Sequence, residues 1–415
     1  MKKSTLIIII LLIVALLGGW FFWFMYLQGS KTENPTNIPE PNSFNPLNRE
    51  PAITKLVETP EKVATTTTEI PSNTPLKLPI LRKLSDTPVG GMAASTTAST
   101  TIVRFIDRGA GYIYEASNKN NNIENISNTT LPRIYESYWN KNLNVLVLRY
   151  LKQDSNTITN FYAEIRKTST STSVTSFEIK GKYLSTDINE IVVAPTGDKI
   201  FTWNIEGGRG MGYISSFDEK NKVKIADTPI TQVLIEWPEI NTVTINTKAS
   251  SGNYGYLYSI DTKTGAMKKM LGGLRGLSTK ISKDMKQTLL SITKSTGFNT
   301  LLYNSKDESG REVIFKTLAD KCVWSTLRKN EIYCAVPTNI PDGDYPDDWY
   351  RGNVQFVDQI WHLDTITGEV HLLANPLNLA NELIDATQLI LDQKEKFLYF
   401  INKRDLTLWS LDLNR

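Results

Sequence analysis

Two cysteines and two histidines are the only thiol and imidazole side chains in this 415-residue sequence. Cys322 and Cys334 bracket two short strand-like runs around a turn at 327–330, with residue 328 midway between them. A tight hairpin therefore sets them opposite each other. In an oxidising compartment such a pair closes a structural disulfide, which constrains the unfolded chain by roughly 2–3 kcal/mol. Two buried thiols are the alternative, and no further ligands mark a metal site. His362 and His371 occupy the two arms of one hairpin. With the turn tip at 365–368 they face each other on one side of the sheet, which with a carboxylate is a possible zinc grip. A one-residue slip separates them, and catalytic zinc takes three protein ligands. Surface histidines are the favoured reading.

The densest chemical group is PDGDYPDDWYRG at 341–352. It carries Asp342, Asp344, Asp347 and Asp348 beside Tyr345, Trp349, Tyr350 and Arg351. Clustered loop carboxylates suit calcium, but the spacing is not that of the twelve-residue EF-hand loop and no Glu closes it. Trp, Tyr and Arg are the residues of interface anchors, so these eight residues are also a candidate contact surface for a partner. The third reading is a decorated loop that packs Trp349 onto the body of the domain. GGRGMG at 207–212 lacks the Gly-Lys-Ser/Thr ending of a phosphate loop and is not followed by a helix; a flexible turn explains it. No nucleophile, metal or cofactor motif is found, so no catalytic residue and no cofactor are expected.

These groups sit in a region of short Val-, Ile-, Tyr-, Phe- and Thr-rich runs separated by Asn, Asp, Gly and Lys, the signature of an all-β domain. Examples are NVLVLRYL at 144–151 and KFLYFI at 396–401. The best helix candidate, 377–384, is short. A hairpin recurs: YLYSIDTKTGAMKKM at 256–270 and IWHLDTITGEVHLL at 360–373, with weaker copies at 301–315 and 212–226. In its turn Asp caps the backbone, and Gly265 and Gly368 supply a positive φ. Aromatic anchors fall at Tyr114, Tyr162, Tyr213, Tyr258, Tyr303, Trp361 and Trp409, with spacings of 48, 51, 45, 45, 58 and 48 residues. A period of about 40–50 residues is that of four-stranded propeller blades.

The aromatic-x-x-Asp-x-x-Thr-Gly pattern resembles TolB-like and WD40-like β-propeller repeats over roughly 102–415. The resemblance implies a propeller and a binding platform as its usual role; counting the units gives seven blades, with six as the alternative. A two-sheet sandwich is the weaker alternative. The first unit, 102–127, lacks an innermost strand and the last, 384–413, an outermost one, so pairing of the two ends is expected to close the ring and hide a sheet edge. SKDESG at 305–310 is similar to the Asp-box of sialidase-type propellers but lacks its Thr-Trp ending.

The remaining sequence places this domain. Residues 6–27 form an uncharged run of 22, long enough for a helix to cross roughly 30 Å of hydrocarbon. Lys2 and Lys3 precede it and Trp20, Trp23 and Tyr26 end it, which orients residues 1–5 to the cytoplasm and the rest outside. The run is longer than the apolar core of a signal peptide and has no small-x-small cleavage site. Residues 28–100, rich in Pro, Thr, Ser and Asn, read as a disordered tether with a reach of about 45–50 Å. The apolar patch at 76–84 reads as a sticky piece of that tether, with docking on the domain or the membrane as alternatives. The β domain is expected over 101–415. The net charge of +3 has no basic block, which excludes an electrostatic footprint for nucleic acid. The expectation is a single-pass envelope protein whose propeller binds or scaffolds a protein or glycan. The alternative is an extracytoplasmic propeller hydrolase or lyase acting on glycans.

Overall fold

The computed structural model describes residues 78–414 apart from 98–99, 128–129, 153–156 and 170–174. The segment 6–27 and the tether up to 77 lie outside the described residues. Among the described residues no helix is long and apolar enough to cross a membrane.

The chain folds into seven four-stranded antiparallel sheets, a seven-bladed β-propeller. Six blades use four consecutive strands. The seventh takes its inner three from Ala386–Leu391, Phe397–Asn402 and Leu408–Asp412 and its outermost from Leu81–Lys83. The inner strands of blades 1 to 6 are Val89–Thr96, Ile134–Trp139, Ile188–Val193, Val233–Glu239, Ser278–Ile281 and Cys322–Trp324. Because strands alternate in direction, loops from second to third strand lie at the same end as loops between blades. This end, where each inner strand starts, is called the entry end below.

The seven aromatic anchors fall one per blade, each on the third strand. The repeated hairpins join third to outer strands, with Gly265 and Gly368 at φ 73° and 78° in their turns. The 207–212 glycines also serve a turn. Glu206 pairs with Arg209 across Gly207 and Gly208, whose φ values of 56° and 75° are those of a two-residue hairpin turn. The 377–384 segment contributes only the short helix Pro376–Ala380.

Each sheet has two apolar faces, and the core lies between neighbouring blades. Phe201 and Trp203 of blade 3 pack with Val233, Trp237, Val243 and Ile245 of blade 4. Ile106 and Ile113 of blade 1 pack with Ile134, Leu146 and Leu148 of blade 2. Burial of each such side chain contributes about 1.5–3 kcal/mol.

The domain starts earlier than expected. Leu81–Lys83 pairs with Leu408–Asp412, and Val89–Thr96 pairs with Thr101–Asp107. The two strands missing from the first and last units therefore lie inside 28–100, not in a tether ending at 100. The described part of the 76–84 patch, from residue 78, docks on the domain: Leu81 is buried with Trp409 and Leu411, and Leu84 with Tyr399 and Leu408. Pairing of the two ends closes the ring.

Cys322 and Cys334 stand directly opposite on the inner and second strands of blade 6 and form a disulfide. The tight turn between them fixes that register. Replacement of both by Ala is expected to lower the unfolding free energy by about 2–3 kcal/mol, read from the denaturant midpoint under non-reducing conditions. An unchanged midpoint would contradict a stabilising bridge.

Candidate functional site

The 341–352 insertion joins the second and third strands of blade 6 at the entry end. Its aromatics turn inward. Tyr345 and Trp349 are buried, packed with Phe298, Leu318 and Phe356. Asp347 and Asp348 start the short helix Asp347–Arg351, which Gly352 ends at φ 81°. Asp347 Oδ2 accepts from the Ser251 amide of blade 4 at 2.6 Å, and Asp348 Oδ2 from the Asp344 amide at 2.8 Å. Each hydrogen bond to a carboxylate favours its charged form. Of the eight candidate contact residues, Asp342, Asp344 and Arg351 are exposed, while Asp347, Asp348 and Tyr350 are half-buried. The expected aromatic contact surface is corrected at Tyr345 and Trp349, which bind the insertion to the propeller.

Beneath the helix lies a fully buried charge cluster. Lys321 Nζ pairs with Asp358 at 2.8 Å, pairs with Asp385, and donates to the Ala386 carbonyl at 2.9 Å. It sits 5.0 Å from the Trp349 ring centre and 5.2 Å from that of Phe356. Asp385 also accepts from Trp349 Nε1 and from the Phe356 amide at 3.0 Å. Burial pushes the Asp358 carboxyl up to about 6, with Lys321 opposing and Asp385 adding. Loss of one partner from such a cluster leaves an uncompensated buried charge, a cost of about 3–5 kcal/mol. The cluster staples blades 6 and 7 and the insertion together.

The inner strands converge on a central cavity of about 410 Å³, lined by residues of all seven blades. Its titratable groups are Glu136, Tyr138, Glu190, Glu236, Lys280 and Asp320. Glu136 and Glu190 occupy the same place in adjacent blades. Each is the third residue of an inner strand and follows a bulge, opposite Arg149 and Trp203 respectively. Bulges beside a site re-aim side chains. Glu136 Oε2 accepts from Arg149 at 2.7 Å and from Tyr138 Oη at 2.9 Å. Glu236 pairs with Lys280 at 3.4 Å, and Asp320 accepts from Tyr350 Oη at 3.0 Å. That last bond sets the insertion helix at the rim of the cavity. Glu190 has no hydrogen-bond donor among the described residues. Burial holds its carboxyl up at about 7, with Glu136 adding and Arg149 and Lys248 opposing.

None of these carboxylates stood out in the sequence, where they are separated by dozens of residues. One signal was present: Ile134-Tyr135-Glu136 and Ile188-Asn189-Glu190 repeat an Ile-x-Glu pattern at the start of successive blades. The histidine pair lies elsewhere, on the third and outer strands of blade 6. The two rings stack with centres 6.0 Å apart, and His362 Nε2 is 2.9 Å from Glu331 Oε2. Among the described residues no group of three or more His, Cys, Asp or Glu residues is placed to hold a metal ion.

No protein-family model and no curated protein matches the chain. Solved structures do. An oligogalacturonate lyase from Vibrio parahaemolyticus superposes with a TM-score of 0.51 at 8% identity, over 80% of this chain and 93% of that one. The β-propeller domain of the trilobed protease from Pyrococcus furiosus gives 0.47 at 10% identity, over 79% and 99%. TolB from Acinetobacter baumannii gives 0.38 at 10%, over 73% and 60%. Among longer matched chains this one spans 50% to 60% of their length. At such identities the likeness is one of fold.

The Glu190 carboxyl gives a signed pH dependence. Its folded pKa of about 7 lies above the ordinary 4.5. The folded state therefore holds the proton more tightly than the unfolded chain, and stability falls as pH rises from 4.5 to about 7. Asp358 acts in the same direction, so the difference between variants isolates Glu190. Glu190→Gln is expected to raise the thermal midpoint at pH 8 by several degrees over the parent, with a smaller gain at pH 5. Equal gains at both pH values would contradict the raised pKa.

Proposed function

We propose that this chain is a membrane-anchored extracytoplasmic β-propeller that binds a protein or glycan of the cell envelope through the entry end of its channel. One observation carries the reading. Residues of six inner strands and Asp320, just before the inner strand of blade 6, line a single cavity, and that cavity retains a carboxyl, Glu190, that no internal donor satisfies. A fold selected for stability alone replaces such a group; groups held at a cost to stability cluster at functional sites. The exposed Asp342, Asp344 and Arg351 flank the same end and extend the proposed contact surface.

The compartment is supported by the disulfide, a bond that persists in oxidising surroundings, and by the apolar run 6–27. A tether between anchor and propeller raises the effective concentration of the channel near other membrane components, which strengthens a weak contact without new bonds. The lyase likeness, at 8% identity, carries over no residue, so catalysis on glycans gains no support from it.

Photo-cross-linkers in place of Tyr135 or Asp342 at the entry end, and of Ile366 at the opposite end, test the reading in intact cells. All three positions are solvent-exposed. Cross-links to an envelope protein or glycan are expected from the first two and not from the third. Cross-links only from Ile366, or none at all, would exclude the entry end.

A further inference from the structure

A smaller cavity of about 110 Å³ lies between blades 7 and 1, apart from the central channel. Its floor is a row of three polar residues set directly opposite one another on adjacent strands. Arg82 of the closing strand pairs with Ser410, and Ser410 with Tyr399. Residues paired in this way share one face of a sheet. Here it is the face that packs Tyr399 on Val103, Phe105 and Ala116 of blade 1. The rest of the wall is largely apolar: Leu78, Ile80, Leu84, Val103, Ala116 and Phe397. Packing between two blades does not by itself call for a polar row across an apolar contact.

Two of the three residues carry hydroxyls that the fold leaves open. Tyr399 is 3% exposed and Ser410 8%. Among the described residues neither Tyr399 Oη nor Ser410 Oγ has a hydrogen-bond partner, and neither is sealed from solvent; in this row only Arg82 Nη2 is both sealed and unpartnered. Buried hydroxyls are normally bonded to protein or water, so these two are available to a molecule in the cavity. Arg82 supplies charge. Its Nη1 donates to the carbonyls of Ser117 and Asn120 at 3.1 and 2.9 Å, and among the described residues no carboxylate pairs with it. Burial lowers its pKa, with Tyr399 opposing, so the guanidinium stands in poorly solvated surroundings without a counter-ion. Asp412, the one acid on the wall, lies opposite Phe397, one row further along the same face, and its Oδ1 accepts from the Asn414 amide at 3.0 Å.

A cation without a counter-ion, beside two hydroxyl donors, suits an anion. The apolar remainder of the wall disfavours inorganic phosphate or sulfate, whose further oxygens would face Leu84, Val103 and Phe397 unpaired. The volume is below the roughly 150 Å³ of a cavity that holds benzene, which limits the ligand to a few carbon atoms. We propose that this cavity binds the anion of a short-chain carboxylic acid. Its carboxylate accepts from Tyr399 Oη and Ser410 Oγ in the field of Arg82, and its alkyl chain lies against Leu84, Val103 and Phe397. The site spans the closure of the ring, with Arg82 on the closing strand, Ser410 and Tyr399 on blade 7, and the facing wall on blade 1. A ligand bound there and released on unfolding stabilises the closed ring by mass action. The acid thus clamps the joint between the first and last blades.

Thermal unfolding of the full chain in detergent micelles tests the assignment, with increasing sodium butyrate or its neutral isostere butyramide, and sodium chloride holding the ionic strength constant. The midpoint is expected to rise with butyrate and then level off, with an apparent affinity at least about tenfold above that for butyramide. Tyr399→Phe combined with Ser410→Ala removes both hydroxyls while keeping the packing and Arg82. This double variant should fold and lose butyrate affinity at least about tenfold. Arg82→Gln should start from a lower midpoint and show no butyrate shift. A midpoint that does not respond to butyrate, an equal response to butyramide, or an undiminished response in either variant would each overturn the proposal. The cavity is separate from the entry-end channel, so these outcomes leave the reading of that end untouched.

Discussion

The structure depends on ring closure. A four-stranded sheet leaves two apolar faces and two unpaired edges, and only a closed circle of sheets covers all the faces at once. Here the circle is closed by three residues. Leu81, Arg82 and Lys83 pair with Leu411, Ser410 and Trp409. The Leu84 amide then donates to the Leu408 carbonyl at 2.7 Å, and Ser85 Oγ accepts from the Leu408 amide at 2.8 Å. A chain that has just completed the edge of blade 7 continues directly into the inner strand of blade 1, so the two blades are joined covalently as well as by hydrogen bonds.

Closure creates the channel. It brings Glu136, Glu190 and Glu236, from three successive inner strands, around the same cavity as Asp320. The insertion of blade 6 then finishes the rim. It does so through non-local contacts: Trp349 to Asp385, Asp347 to Ser251, and the Tyr345 carbonyl to Thr293 Oγ1 at 2.6 Å. Lys321 keeps Asp358 and Asp385 from standing as two unpaired buried carboxylates. The entry end is thereby more rigidly built than an ordinary loop surface, which suits a preformed binding site.

How much of this was legible in the sequence follows from how local each signal is. The third-to-outer hairpins were readable because strand, turn and strand are contiguous and the aromatic anchor recurs once per blade. The disulfide was readable because the turn is tight. The inner strand of blade 1 was not. Its sequence, VGGMAAST, looks like linker because the next blade presses against its backbone. A Cβ on Gly90 would stand 2.5 Å from Ile134 Cγ2, and one on Gly91 2.4 Å from Ser137 Oγ. Small residues are there a packing requirement and not a sign of disorder. Whether Trp349 packs onto the domain or faces a partner stayed open in the sequence because its hydrogen-bond partner, Asp385, is 36 residues away. The channel carboxylates were hidden for the same reason, save for the Ile-x-Glu repeat in blades 2 and 3.

The claim that the 81–96 segment completes the propeller, and is no part of a tether, is tested most directly by thermal unfolding of two shortened chains. One starts at residue 77 and keeps both strands; the other starts at residue 86 and lacks Leu81–Lys83. Burial of Leu81 and Leu84 alone contributes about 1.5–3 kcal/mol each. The first chain is predicted to unfold in one cooperative transition, and the second at a clearly lower temperature with blade 7 melting early. Identical transitions for the two would contradict closure by the N-terminal strand.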